Sequence, residues 1–243
     1  CPCCGAIMTS RDIRVEARAG RLGTVMTSVI VDDERGKDFR LPTQEENYVV
    51  QEAQQQLSGI FSDIPFGMPT EPIPQGASRK GGGSPFTVRI YGLDQWHMLF
   101  SPRQLLALGT FIRHIRAAHD AMMVEGYSQE FVEGMLYLLS CLVSKLADKN
   151  STLVEWQPHR LCIGHTFKRF ALPITWDFAE VNVLSQSTGN AWDTLLWIAN
   201  VVEENNAEET WPRPIVVLDD AQNERSSEYW DMIVTDPPYY DAI

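Results

Sequence analysis

Asp236-Pro237-Pro238-Tyr239, close to the carboxyl end of this 243-residue chain, is the run whose residue types and order carry a definite chemistry. The apolar residues ahead of it, Met232-Ile233-Val234-Thr235, read as a buried strand of an α/β sheet. A strand that ends in an acid, two prolines and an aromatic ring suits the holding of a flat, amine-bearing base. In that reading the Asp236 carboxylate accepts one proton of the exocyclic amine and the Pro237 carbonyl accepts the other. Neither Pro237 nor Pro238 has an N–H, and their fixed φ holds the carbonyl in place while the backbone leaves the sheet. Tyr239 stacks on the face of a base swung out of its helix. The amine lone pair then points at a methyl donor, and the protein's part is positioning. Four fixed residues arise by chance in a chain of this length roughly once in a thousand tries. The plainer alternative is a turn after a strand, with Tyr239 packed on the sheet.

A second strand is expected at Pro214-Ile215-Val216-Val217-Leu218, followed by Asp219-Asp220-Ala221 and a polar connection to Tyr229 and Trp230. Strand, acid, connection, strand and catalytic turn make a piece of a doubly wound sheet, where ligands sit beyond the strand C-termini. Both acids are equally readable as caps of a turn, in which Asp is common. No glycine-rich turn runs from a strand into a helix. Gly81-Gly82-Gly83 instead precedes the strand-like run Phe86-Thr87-Val88-Arg89-Ile90 and reads as a loop. With no later strands after Ile243 and an opening on Cys1, the expectation is a central slice of a longer enzyme, cut after its catalytic turn.

At the other end, Cys1-Pro2-Cys3-Cys4-Gly5 contains a Cys-Pro-x-Cys-Gly knuckle. Cys1 and Cys4 are candidate thiolate ligands for half of a tetrahedral zinc site, with Cys3 as a spare or alternative. The other reading is a reduced cysteine cluster without metal. Cys141 and Cys162 stand in helical or apolar surroundings and read as small buried thiols.

Composition sets the outer bounds. With 44% hydrophobic residues and seven Trp the chain can bury a substantial core. No apolar run is long enough to span a bilayer and no secretory signal is visible, so no membrane partner is expected. Five cysteines, three crowded at one end, make no disulfide framework, and the expected compartment is a reducing cytoplasm. The net charge of −12 opposes binding to phosphates, but it is unevenly spread. Residues 200–243 hold 11 acids and 2 bases, whereas residues 77–120 hold 6 bases and 2 acids. Arg11, Arg14, Arg18 and Arg21 recur at helical spacing, either as a phosphate track or as a solvated face with Asp12 and Glu16 interleaved.

Three blocks must position these groups. The first is β-rich: a strand over Thr24–Val31, a turn over Asp32–Gly36 and a returning strand over Lys37–Leu41. The second is mainly helical. Thr43-Gln44-Glu45-Glu46 opens a helix to about Leu57, and the Pro- and Gly-rich stretch Ser62–Pro85 reads as loop or linker. Ser101-Pro102-Arg103-Gln104 starts a helix with the stripe Leu105, Leu108, Phe111, Ile112, Ile115 and Ala118. A partner over about Ser128–Ala147 repeats the period with Phe131, Met135, Leu138, Leu139, Leu142 and Leu146, which predicts an antiparallel pair. His114 and His119 read as surface or packing residues. A last helix, about Ala191–Val202, is expected to cover the sheet.

The run Thr166-Phe167 … Ala171-Leu172-Pro173-Ile174-Thr175-Trp176-Asp177-Phe178-Ala179-Glu180, with the tail Val234–Asp241, resembles a family of large bacterial and archaeal DNA methylases. These belong to the S-adenosylmethionine-dependent amino-methyltransferases of nucleic acids. The Cys1–Gly5 knuckle, the Arg14–Leu22 stretch, Phe39–Thr43 and Ser101–Leu105 follow in the family's order, so the likeness covers most of the chain. The resemblance implies catalytic roles for Asp236, Pro237, Pro238 and Tyr239. It also implies that Asp220, with Asp219 as a rival, contacts the adenine ring of S-adenosylmethionine. Asp at the first motif position leans towards adenine N6; cytosine N4 enzymes more often carry Ser. Ala242 stands where relatives often have Asn, and Glu203–Glu209 is an acidic linker, neither touching the proposed chemistry.

The expected architecture is α/β, with a zinc-ribbon-like segment over 1–42, a mainly helical and DNA-positioning insert over 43–205, and a partial methyltransferase domain over 206–243. The expected partners are DNA and the remaining N- and C-terminal parts of the same enzyme, within a restriction-modification or related setting. Two other functions remain open at this point: a non-catalytic zinc-ribbon and helical module scaffolding a defence or modification complex, and methyl transfer to RNA.

Overall fold

The computed structural model describes residues 5–34, 36–74, 86–168, 171–206, 216, 231, 232 and 234–236. Four helices begin where a Thr or Ser supplies an acceptor for otherwise unpaired amides. Ahead of α1 (Ser10–Arg18), the Thr9 hydroxyl accepts from the Asp12 amide while the Asp12 carboxylate takes the Thr9 N–H at 2.8 Å. The same reciprocal box, Thr43 with Glu46, opens α2 (Gln44–Ser62). Ser101 with Gln104 opens α3 (Pro102–Val124), where Pro102 adds a preset φ. Ser128 caps α4 (Gln129–Lys149) through the Phe131 amide. Before α5 (Ala191–Asn206), the Asn190 side-chain oxygen accepts from the Asp193 amide.

Two antiparallel hairpins accompany the helices. β1 (Val29–Asp33) pairs with β2 (Gly36–Arg40), Ile30 opposite Phe39, and Gly36 supplies the positive φ of the turn. β3 (Trp156–Gln157) pairs with β4 (Cys162–Ile163). The described residues thus combine five helices with two small sheets, a mixed architecture in which no doubly wound sheet is formed among them.

The core has three lobes. Leu57, Ile60 and Phe61 of α2 bury against Leu105 of α3. Ile73, Val88, Leu99, Leu153 and Leu172 bring irregular segments together. Leu108, Leu142, Leu146, Val183, Ala191 and Ile198 join α3, α4 and α5. The Phe100 ring packs against all three lobes.

Several elements differ from their sequence-based expectations. The first strand starts at Val29, five residues later than the pattern suggests. Phe86–Ile90 is no strand: Thr87–Tyr91 forms a 3-10 turn that buries only Val88, closed by Gly92 at φ 79°. Ile73, within the expected linker, is fully buried, and residues 75–85, Gly81–Gly83 among them, lie outside the described residues. Helix α2 runs past Leu57 because Ile60 and Phe61 still have α3 to pack on. Phe131 faces solvent instead of the α4 core, and α5 covers α4, not a sheet. The helically spaced arginines divide: on α1, Arg18 donates to the Ile90 carbonyl at 3.1 Å and Arg14 lies over the Tyr91 ring, whereas Arg21 lies beyond the helix and pairs with Glu16.

Gly109 marks the closest approach of α2 and α3. A Cβ there would sit 2.5 Å from Ile60 Cγ2 and 3.2 Å from the Phe61 ring. Overpacking costs about 1–3 kcal/mol, whereas Ala gains up to about 1 kcal/mol of helix propensity over Gly. Gly109→Ala is therefore expected to lower the urea midpoint, measured by circular dichroism, despite being the better helix former.

Candidate functional site

Asp236 is the one member of the tetrapeptide within the described residues. It lies in exposed, irregular backbone and has no hydrogen-bond or ion-pair partner among the described residues. The expected buried strand ahead of it is corrected: Met232 and Val234 are 78% and 85% exposed, and neither they nor Thr235 joins a strand. A strand buried on both faces needs neighbouring strands and covering helices, and no described element covers this segment. Pro237, Pro238, Tyr239, Asp219, Asp220, Cys1 and Cys4 lie outside the described residues.

The structure does assemble polar side chains elsewhere, where α3 begins and α4 ends. Ser101 donates to the Glu180 carboxylate, whose second oxygen takes Arg103. Gln104 accepts from the Ser101 amide at 2.8 Å and donates to Asn150 Oδ1 at 3.2 Å, which also accepts from the Val181 amide at 3.1 Å. Gln104, Asn150, Ser151 and Thr166 are buried, and Thr166 Oγ1 lies 2.8 Å from Ser151 Oγ. Their donors and acceptors engage one another, as burial demands, so this group is a joint and not a reactive centre.

At the rim of that joint stand Asp148, Lys149 and His165. Asp148 Oδ2 meets His165 Nδ1 at 2.5 Å, its Oδ1 accepts from the Phe167 amide at 3.1 Å, and His165 Nε2 lies 2.8 Å from Lys149 Nζ. The carboxylate places the ring proton on Nδ1, leaving Nε2 to accept from the Lys149 ammonium. Partial burial works to raise the Asp148 pKa, but the hydrogen bonds from His165 and the Phe167 amide, with the charge of Lys149, hold it below its ordinary value. Burial lowers the Lys149 pKa, with Asp148 opposing. A carboxylate-oriented imidazole is an acid–base arrangement in kind. Here Nε2 is turned to Lys149 and not into a cleft.

A cavity of about 480 Å³ opens between α2 and α3, lined among others by Leu57, Met68, His97, Met98 and Leu105. It has no carboxylate in its wall to meet the ribose or adenine amine of S-adenosylmethionine, so the group does not fit there. Zinc has no alternative site either: among the described residues no three His, Cys, Asp or Glu side chains gather, and Cys141 and Cys162 are half-buried free thiols. His114 is exposed and His119 pairs with Asp120. Among the described residues no helix is long and apolar enough to cross a membrane. No protein-family model, curated protein or solved structure matches this chain.

Sequence reasoning passed over Asp148, His165 and the pairing of Ser101 with Glu180, because the partners lie 17 and 79 residues apart. The available signal was indirect: Lys149–Thr152 and Trp176–Glu180 stand out as distinctive text, and both dock on the start of α3 through Asn150, Thr152 and Glu180.

Because the folded-state pKa of Asp148 is lowered, its stabilisation is full above the ordinary value of 3.8 and is lost as pH falls through the lower folded value. Asp148→Asn should cost about 1.5–3 kcal/mol at pH 7, from a hydrogen bond to a charged group. The gap between variant and parent in urea denaturation should close under acid conditions.

Proposed function

We propose that this chain is the target-positioning and catalytic-turn portion of an S-adenosylmethionine-dependent amino-methyltransferase acting on DNA, with adenine N6 as the acceptor. The observation that carries the reading is Asp236-Pro237-Pro238-Tyr239 after an apolar segment. The exposed Asp236 side chain, unpaired among the described residues, is consistent with a carboxylate kept for an incoming amine. In this reading Asp220 or Asp219 faces the adenine of the methyl donor. Cys1 and Cys4 contribute to a zinc ribbon.

The division of labour follows from residue types. Asp236 accepts one N–H of the extruded base and the Pro237 carbonyl accepts the other, which fixes the amine plane and exposes its lone pair. Tyr239 stacks on the ring and excludes water from one face. Asp236 orients and polarises; it need not be a strong base, since the amine sheds its proton after the new N–C bond forms. The residues described in the structure do not form a site for the methyl donor, which is left to the segments around Asp219 and Asp220.

A second reading, a catalytically idle scaffold for a modification complex, draws on a different observation: the polar joint between α3 and α4 is closed on itself. One experiment separates the two. The complete open reading frame that encodes this chain is assayed with labelled S-adenosylmethionine on plasmid DNA and on total RNA. Incorporation into DNA, reduced about 100-fold or more in Asp236→Ala with unchanged circular dichroism, is the expected result. Undiminished incorporation by Asp236→Ala overturns the role of the carboxylate. DNA binding without any incorporation favours the scaffold, and incorporation into RNA alone moves the substrate.

A further inference from the structure

We propose that the tip of the α3–α4 hairpin is a docking surface for a cationic, apolar segment of a partner protein. The inference stands independently of methyl transfer. It begins with a local turn: Gly126 takes φ 85°, its amide bonds to the Met123 carbonyl at 3.2 Å, and the Tyr127 amide bonds to the Met122 carbonyl at 3.1 Å. This four-residue link sends α4 back along α3 and leaves large side chains outside. Val124 is 89% exposed, and Met123, Tyr127 and Phe131 are also exposed. Tyr127 and Phe131 stack on each other, centroids 5.0 Å apart at 17°. Four large apolar side chains on one hairpin end go beyond the scattered singles of an ordinary surface, and such a patch marks an interaction site. The thioether of Met123 adapts readily to a partner's shape.

Charge selects the occupant. From residue 117 to residue 144 there is no Lys or Arg, while Asp120, Glu125, Glu130 and Glu133 are all present and exposed. Asp120 has the neighbouring His119 at 2.8 Å; Glu133 takes only the neutral Gln129 amide at 2.8 Å. Four carboxylates around an apolar centre repel duplex DNA, which presents a negative charge about every 1.7 Å of axis, and they repel an anionic bilayer in the same way. A partner segment with apolar side chains for the centre and Lys or Arg for the rim meets both features. Complementary charge of this kind steers encounter and suppresses wrong partners.

The test uses the full chain and a short, labelled amphipathic helix of Leu and Lys, with a Leu and Glu helix and a duplex DNA as counterparts, all read by fluorescence anisotropy. The Leu and Lys helix is expected to bind, the other two not. Val124→Ser with Met123→Ser, at exposed positions, should weaken that binding at least about tenfold, as loss of central apolar anchors does, with unchanged circular dichroism. Glu125→Gln with Glu130→Gln should weaken it and flatten its salt dependence. Glu203→Gln with Glu204→Gln, on α5, should leave it unaltered. The proposal is overturned if the Leu and Lys helix fails to bind, or if it binds equally to the tip variants. It is overturned equally if DNA binds through the tip, or if sedimentation shows a dimer that the Val124→Ser and Met123→Ser pair dissolves, since the occupant is then a second copy.

Discussion

Residues 100 and 101 form the hinge on which the described structure depends. The ring of Phe100 is shared by all three apolar lobes, and the next residue, Ser101, starts α3 and reaches across to Glu180. A single ring that completes three clusters makes them cooperative: none can be opened without exposing part of the other two. The polar joint then fixes direction. Leu99 offers its carbonyl to both the amide and the hydroxyl of Thr152 at 2.8 Å, and Asn150 holds Gln104 and the Val181 backbone at once. Apolar contact supplies the driving force and the buried hydrogen bonds select one arrangement of segments that are far apart in sequence.

Charge placement qualifies how such a chain meets nucleic acid. The base-rich block 77–120 suggested a phosphate-facing surface, yet Arg89 is engaged with Asp94 and the Ile73 carbonyl, and Arg103 with Glu180. On α1, Arg14 and Arg18 face the 3-10 turn at Thr87–Tyr91. Arg113 and Arg116 on α3 remain exposed with no ion-pair partner among the described residues. Among the described residues of that block, Arg113 and Arg116 are the two cations left for phosphate contacts, and affinity for DNA that rests on two such contacts would be weak and would fall only shallowly with salt.

The helices were legible in the sequence because their signals are local. Thr43 with Glu46 and Ser101 with Gln104 announce helix starts within four residues, and the stripes of α3 and α4 repeat at a fixed period. The β1–β2 hairpin was legible for the same reason, through a polar turn between apolar runs. What escaped is non-local. Val88 sits in a 3-10 turn because its burial against Leu172 outweighs the strand propensity of its neighbours. Ile73 is buried although its surroundings read as linker, since one well-placed side chain suffices to pin an irregular segment. The tetrapeptide is the opposite case: its chemistry is legible from composition and order, while Asp236 is exposed and in irregular backbone.

The burial along α3 is lopsided, with Gln104, Leu105, Leu108 and Gly109 all in its first eight positions. A helix of 23 residues extends about 34 Å, and its distal half, packed along α4, has no fully buried side chain. Amide hydrogens near Val124 will therefore exchange with solvent through local opening long before those beside Gln104, whose release requires the whole body to unfold. Anything that grips the distal end suppresses that opening by mass action, and so evens out protection along the helix without altering a single contact at its root.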